Sequence, residues 1–441
     1  RGDAVMRGIL SAVVAIFIGL WAAPLWAANA VQTLTTPSGI NAWLVEDHNI
    51  PFVALELHFR GGSALEPLAK RGVTQLMTGL LEEGSGDMDA QAFAAAKEGL
   101  AASFGYRAYQ DVLGISVRFL TANRAQSVDL LRQSLIAPRF DEDAIERVRA
   151  QMLTGIRAQT KDPNDLVGKA FDAEAYGDHP YGSDDLGTIE TVSALRREDI
   201  VSSHRNTLVR ERVVVSAVGD ITAEELSTLI EDLLGDLPPS SDLPLLEPAP
   251  LGLQTGVKVI DFPTPQSVAL FGHAGIDRDD PDFFAAYILN YIFGGNGFES
   301  RLMRELRETR GLTYGVNTYL VTADYANLYL GQFASANERV AEAIDVLKAE
   351  WGKIARDGIT EKELTRAKTY LTGAYPLRFD GNAKIARILA GMQLQGLDPS
   401  YIDTRNGKIE AVSLADANRV AARLFQPERL RIMVIGTPQG L

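Results

Sequence analysis

The chain has five histidines, His48, His58, His179, His204 and His273, and no two of them stand three or four residues apart. That spacing withholds the pair of imidazoles, one helical turn apart, with which a helix commonly grips a metal. With no cysteine in the sequence, a thiol nucleophile, an Fe–S cluster, thiolate zinc and any disulfide are excluded. Glu82 and Glu83 form a carboxylate pair, but without a neighbouring imidazole they read as a solvated helix end. The turn Phe293-Gly294-Gly295-Asn296-Gly297-Phe298 opens a helix, where a phosphate could be cradled. It lacks G-x-G-x-x-G and a Walker lysine, so the phosphate signal is weak. His48 and His179 read as structural hydrogen-bonding groups rather than ligands.

The elements that must position any site follow from pattern and length. With 441 residues, 46% hydrophobic and 23% charged, the chain can build two or more packed cores. Asp and Glu outnumber Lys and Arg by 57 to 43, a formal charge of −14 without a basic stripe, which argues against a nucleic-acid surface. Residues 1–30 have the layout of a secretory signal, with an uncharged apolar run from Gly8 to Trp26 and the small residues Ala27-Ala28-Asn29-Ala30. Cleavage after Ala30 and a periplasmic or otherwise exported body are expected. An uncleaved anchor is the alternative reading, because 19 such residues could just span a bilayer.

The proline-rich stretch 237–251 reads as an extended linker between domains 31–236 and 252–441. On either side of it motifs recur. Val53-Ala54-Leu55 returns as Val268-Ala269-Leu270 at an offset of 215, Leu153-Thr154-Gly155 as Leu371-Thr372-Gly373 at 218, and Gly219 as Gly436 at 217. Near-equal offsets imply a duplicated domain. Strand alternation covers 41–46, 52–59 and 112–119, and helical periodicity covers 72–83, 89–100, 124–135 and 141–161, with Asp141 as a cap. The second half repeats the order, with strands at 268–273, 315–321 and 328–333 and helices at 282–293, 300–308, 338–356 and 361–375. The expected fold class is α+β, two homologous domains, each a mostly antiparallel sheet with helices packed on one face.

In order along the chain stand Val45-Glu46-Asp47-His48 with Pro51, Gly61-Gly62-Ser63, Asp178-His179-Pro180-Tyr181-Gly182 and Val218-Gly219-Asp220. Ser300-Arg301-Leu302 and Arg307-Glu308-Thr309-Arg310-Gly311-Leu312-Thr313-Tyr314 follow. Together they resemble the pitrilysin/insulinase family of zinc peptidases, in particular the short two-domain subfamily that includes the processing peptidases. Active members carry an inverted H-x-x-E-H zinc motif on the helix after the first hairpin. Aligned on that pattern, Gln75 and Gly79 occupy the ligand positions, Thr78 the base position, and Thr154 with Gly155 the place of the distal ligand. The resemblance therefore implies no metal in this chain.

It also implies that Arg307 and Tyr314, seven residues apart, match a pair that reaches the zinc site from the C-terminal domain and holds substrate and oxyanion. A guanidinium is a charged, forked donor and a phenol gives one hydrogen bond, which suits that role. Read without the resemblance, Arg307 is one cation on a charged helix face with Arg301, Arg304 and Arg310, balanced by Glu299, Glu305 and Glu308. Gly294, Gly295 and Gly297 imply at most a local hinge or a peptide contact. The function implied is that of a noncatalytic, substrate-binding subunit of a heterodimeric zinc metallopeptidase. Its homologous partner would carry H-x-x-E-H and the zinc, and its substrates would be short or unfolded peptides, cationic ones being favoured by net charge. The rival reading is a proteolytically inactive structural or peptide-binding homologue.

Overall fold

The computed structural model describes residues 31–295 and 297–441. The leader expected at 1–30 lies outside the described residues, as does Asn296 of the glycine-rich turn. The first half contributes strands β1 (Gln32–Thr35), β2 (Asn41–Glu46), β3 (Phe52–Arg60), the short hairpin β4 (Gly84–Ser85) and β5 (Met88–Asp89), β6 (Ser103–Ala108), β7 (Val112–Leu120) and β8 (Val213–Gly219). Its helices are α1 (Val73–Leu80), α2 (Ala90–Gly99), α3 (Arg124–Ile136), α4 (Glu142–Gln159), α5 (Pro163–Tyr176), α6 (Ile189–Ala194), α7 (Arg197–Thr207) and α8 (Ala223–Leu234). The second half contributes β9 (Gly256–Asp261), β10 (Gln266–Ala274), β11 (Val316–Thr322), β12 (Asn327–Ala336) and β13 (Arg431–Gly436). With them come helices α9 (Phe283–Asn290), α10 (Val340–Asp357), α11 (Glu361–Gly373), α12 (Asn382–Leu394), α13 (Tyr401–Glu410) and α14 (Leu414–Leu424).

Two sheets result, in the orders β1-β2-β8-β3-β7-β6 and β11-β12-β10-β13-β9. Each is antiparallel except for one parallel pair, β2 with β8 and β9 with β13, so the duplication extends to strand direction. The register refines the sequence offset. Val53 lies opposite Gly219, whereas in the second sheet Val268 lies opposite Ile435 and Ser267 packs against Gly436. Val53 is thus the counterpart of Ser267, and the repeated Val-Ala-Leu triplets are one residue out of step. Because side chains alternate, that slip puts Ala54 and Ala269 on opposite faces of their sheets.

The inner face of each sheet is covered by helices of its own half. Val53, Leu55, Leu57 and Phe59 pack with Leu76, Leu131 and Ile230, while Ala269, Phe271, Tyr329 and Phe333 pack around Trp351. The outer face is also covered, and by the other half. Helix α5 lays Val167, Phe171 and Ala175 on Val268, Leu270, Leu330 and Met433 of the second sheet. Reciprocally, α12 lays Ala386, Leu389 and Met392 on Trp43, Val45, Ala54 and Val218 of the first. Polar bonds fix that second seating, from Ser216 Oγ to the Ala386 carbonyl at 2.9 Å and from Gln393 Nε2 to the Val215 carbonyl at 2.8 Å. The two halves are therefore clasped, with each sheet sandwiched.

Residues 238–251 form no regular element; Pro238, Pro239 and Leu243 are bonded to Arg210, Glu211 and Arg212 of the first half, and further on Leu246 and Ala249 join the core under α5, with the Ala249 N–H donating to the Tyr325 carbonyl. The expected helix at 300–308 is wound differently. Met303–Thr309 is a π-helical stretch, and a second one, Tyr291–Gly295, takes in the first three residues of the glycine-rich turn. Asp141 stands at the N-cap of α4 but gives no capping bond, because Arg139 Nε takes its carboxylate at 2.6 Å.

Candidate functional site

The helix aligned with the metal motif, α1, begins where Glu66 accepts from the backbone N–H groups of Gly72 and Thr74. Glu66 pairs with buried Arg71, whose second arm donates to the carbonyls of Pro180 and Ser183 at 3.3 and 3.0 Å. A rigid base of this kind suits a catalytic helix, yet the side chains it presents are not ligands. Gln75 donates to the Ala108 carbonyl at 3.1 Å and to Asp185 at 3.2 Å. Thr78 is buried with no hydrogen-bond partner for its hydroxyl. Gly79 faces α4, where an added Cβ would stand 3.0 Å from Val148 Cγ1. Thr154 is exposed and bonds back to the Ala150 carbonyl at 2.8 Å.

An amide committed to a carbonyl, a hydroxyl committed to its own helix and a missing side chain do not make a zinc site. Among the described residues no group of three or more His, Asp or Glu is placed to hold a metal ion. Glu82 and Glu83 pair with Lys97 and with Arg147 respectively.

The motifs shared along the chain are mostly joints. Gly62, at φ 40°, lets the turn after β3 press on the β6–β7 hairpin, where a Cβ would stand 2.1 Å from the Tyr109 carbonyl. That hairpin carries Asp111, which accepts from the Tyr181 hydroxyl and from the Asp324 N–H at 3.2 Å, tying the first half to the second. His179 accepts from the Tyr181 N–H at 3.2 Å, and His48 bonds Asp220 at 2.7 Å and Glu46 at 3.3 Å. Both are structural, as the sequence suggests.

In the second half, Arg301 is buried, bidentate to Glu363 at 2.8 Å on both arms, and Glu299 turns to Arg366. Of the charges flanking Arg307, Arg304 pairs with Glu305 at 3.6 Å along the same stretch, whereas Arg301 and Glu299 find their partners on α11. Arg307 sits half-buried in the π-helical stretch, whose wide turn recurs at functional sites. Gly311, at φ 59°, reverses the chain, Leu312 is buried, and Thr313 Oγ1 donates to the carbonyls of Ala334 and Gly315 at 2.7 and 2.8 Å. Tyr314 follows with 86% of its surface exposed, just before edge strand β11. The loop is pinned and the phenol stands free of the core. Gly294 packs on β11, where a Cβ would meet Thr318 Oγ1 at 2.7 Å, and Gly295 packs on the Asn290 carbonyl. Gly297 is exposed at φ 48°.

Comparison with known proteins joins this geometry to a family. Residues 42–189 match the model described as insulinase (peptidase family M16), and residues 194–371 the model described as peptidase M16 inactive domain. The chain belongs to peptidase family M16. It lacks that family's zinc ligands and is a noncatalytic member by composition of the site. The non-peptidase homolog YmxG of Helicobacter pylori is 25% identical over 93% of this chain and 94% of its own length. An uncharacterized zinc protease of Mycobacterium leprae is 30% identical over 70% of this chain and 74% of that protein. The crystal structure of the peptidase M16 inactive domain from Pseudomonas fluorescens superposes with a TM-score of 0.86 at 28% identity, covering 93% of this chain and 98% of that one.

Proposed function

We propose that this chain is the substrate-binding, transition-state-assisting subunit of a heterodimeric M16 peptidase whose homologous partner supplies the zinc and the general base. The observation that carries the reading is an asymmetry between the halves. Every ligand position of α1 is filled by a residue that cannot hold a metal, while Arg307 and Tyr314 keep their spacing on a pinned loop. An 86% exposed phenol contributes little to its own core. Set beside a partner's active site, it would donate one hydrogen bond to a developing oxyanion, with Arg307 orienting the peptide carbonyl or carboxylate. An exported location fits the leader-like residues 1–30.

The name of the Helicobacter relative favours the second reading, a homologue that binds or scaffolds without assisting hydrolysis. Copurification from the native source followed by peptide-cleavage assays on the mixture separates the two. A partner bearing H-x-x-E-H whose turnover depends on this chain supports the first reading, and cleavage indifferent to this chain refutes it.

A further inference from the structure

A groove of about 540 Å³ lies between α9, α12, α13 and the segment following α11, remote in sequence from the Arg307–Tyr314 loop. Its walls carry Arg278, Arg378, Lys384, Arg387 and Arg405, and among the described residues no Asp or Glu lines it. A patch drawn from the chain as a whole would show the opposite sign, since acids exceed bases by 14. The reversal is local and concentrated.

The environment of two of these cations separates the groove from an ordinary solvated face. Arg405 is 5% exposed, and no carboxylate among the described residues forms an ion pair with it. It donates to the Leu371 carbonyl at 3.2 Å and to Asn406 at 3.1 Å, and stacks 4.2 Å from the Tyr375 ring centroid. Arg278 is held by aromatic faces, 4.2 Å from the centroid of Phe283 and 5.2 Å from that of Tyr401, whose hydroxyl it also bonds at 2.5 Å. Of the acids near Arg278, Asp280 and Asp282 are taken by Arg419 and Arg423, Asp277 accepts from Asn327, and Asp279 lines the adjoining hollow. A buried guanidinium without a counter-charge is costly in a finished interior, and rings fix its direction without neutralising it. Arg378, Lys384 and Arg387 stand exposed at the rim, and Glu56 bears on the groove only through Arg387, at 3.6 Å. Phe284, Tyr287, Phe379 and Met392 supply apolar wall between the charges.

We propose that this groove binds an acidic peptide segment, carboxylates toward the five cations and apolar side chains against the rings. The preference is opposite to the one that net charge suggests. The inference takes the peptide nature of its ligand from the proposed function, whereas the charge preference rests on the groove itself.

Binding is measured on the purified full chain, without any partner, by fluorescence anisotropy of a labelled peptide in which glutamate alternates with phenylalanine and leucine. The glutamine and lysine versions of that peptide, and one with serine in place of the apolar residues, serve as comparisons. The glutamate peptide is expected to bind at least about tenfold more tightly than each of the other three, and to weaken as salt rises. The double variant Arg378→Glu/Lys384→Glu, both at exposed positions, is expected to lower its affinity about tenfold or more with an unchanged melting temperature. Should that variant fail to fold, Arg378→Gln/Lys384→Gln gives the same comparison with a smaller loss. Equal binding of the glutamate and glutamine peptides, preference for the lysine peptide, equal binding of the serine version, or full affinity in the folded variants would overturn the proposal. Because no cleavage is read, failure of the two-subunit model and failure of this groove are separate results.

Discussion

At the scale of single residues, the helix aligned with the family's zinc motif presents no metal-binding side chains at Gln75 and Gly79. Gln75 is spent on Ala108 and Asp185. Installing Gln75→His, Thr78→Glu and Gly79→His together is therefore expected not to restore stoichiometric zinc, measured by elemental analysis after dialysis. The distal ligand would still be missing at Thr154, and a side chain at Gly79 meets Val148. On the two-subunit proposal, Tyr314→Phe should lower the turnover of the partner by about 10²–10³, the usual cost of losing an oxyanion donor, and Arg307→Ala should lower it as well. Tyr314→Phe should leave the melting temperature of the chain alone, because the hydroxyl of an exposed phenol holds nothing in the core. Tyr181→Phe should do the reverse. It removes the bond to Asp111 at the junction of the halves, costing about 1 kcal/mol of unfolding free energy in denaturant titration by leaving a half-buried carboxylate short of a donor.

At the scale of elements the clasping helix α5 deserves the closest test. Burial pushes the Asp172 carboxyl on that helix up to about 7, and Asp184 adds to the effect. A folded-state value raised above the ordinary 3.8 means that the native state holds the proton more tightly. Asp172 thus stabilises fully below about pH 4, and that contribution fades as pH rises through about 7. Asp172→Asn is expected to flatten the fall in melting temperature between those limits and to raise the melting temperature at pH 8, with little change at pH 4. A variant that tracks the parent at every pH would refute this. Phe171→Ala, which empties the centre of the α5 contact, should cost about 3–5 kcal/mol.

The same elements show what the sequence made readable. Strand 112–119 alternates because its inner face is apolar while its outer face carries Ser116 and Arg118, so its pattern gave no notice that the outer face is covered. Strand 41–46 is apolar from Ala42 to Val45, and the outward Trp43 and Val45 are the trace of that cover. The helices α5 and α12 that cover it were not marked by their own periodicity, since each buries a short apolar stripe amid Asp172, Glu174, Lys384 and Arg387. The π-helical turns around Gly294 and Arg307 depend on packing against β11, which composition does not report. At the site, the absence of ligands could be read directly from residue types. The cation groove could not, because its five charges come from segments between 278 and 405 that only the fold brings together.

At the scale of the whole molecule, net charge is a poor guide to local potential. A −14 chain can present a basic, aromatic-lined groove because interactions among exposed charges fade beyond about 8–10 Å in physiological salt. Shape is distributed as well. Each sheet's outer cover is encoded in the opposite half of the chain, α5 by the first and α12 by the second. Gln75, Thr78 and Gly79 of α1 take no part in the contacts that seat either outer cover. Architecture and chemistry are thereby carried by different residues, and one can change while the other stands.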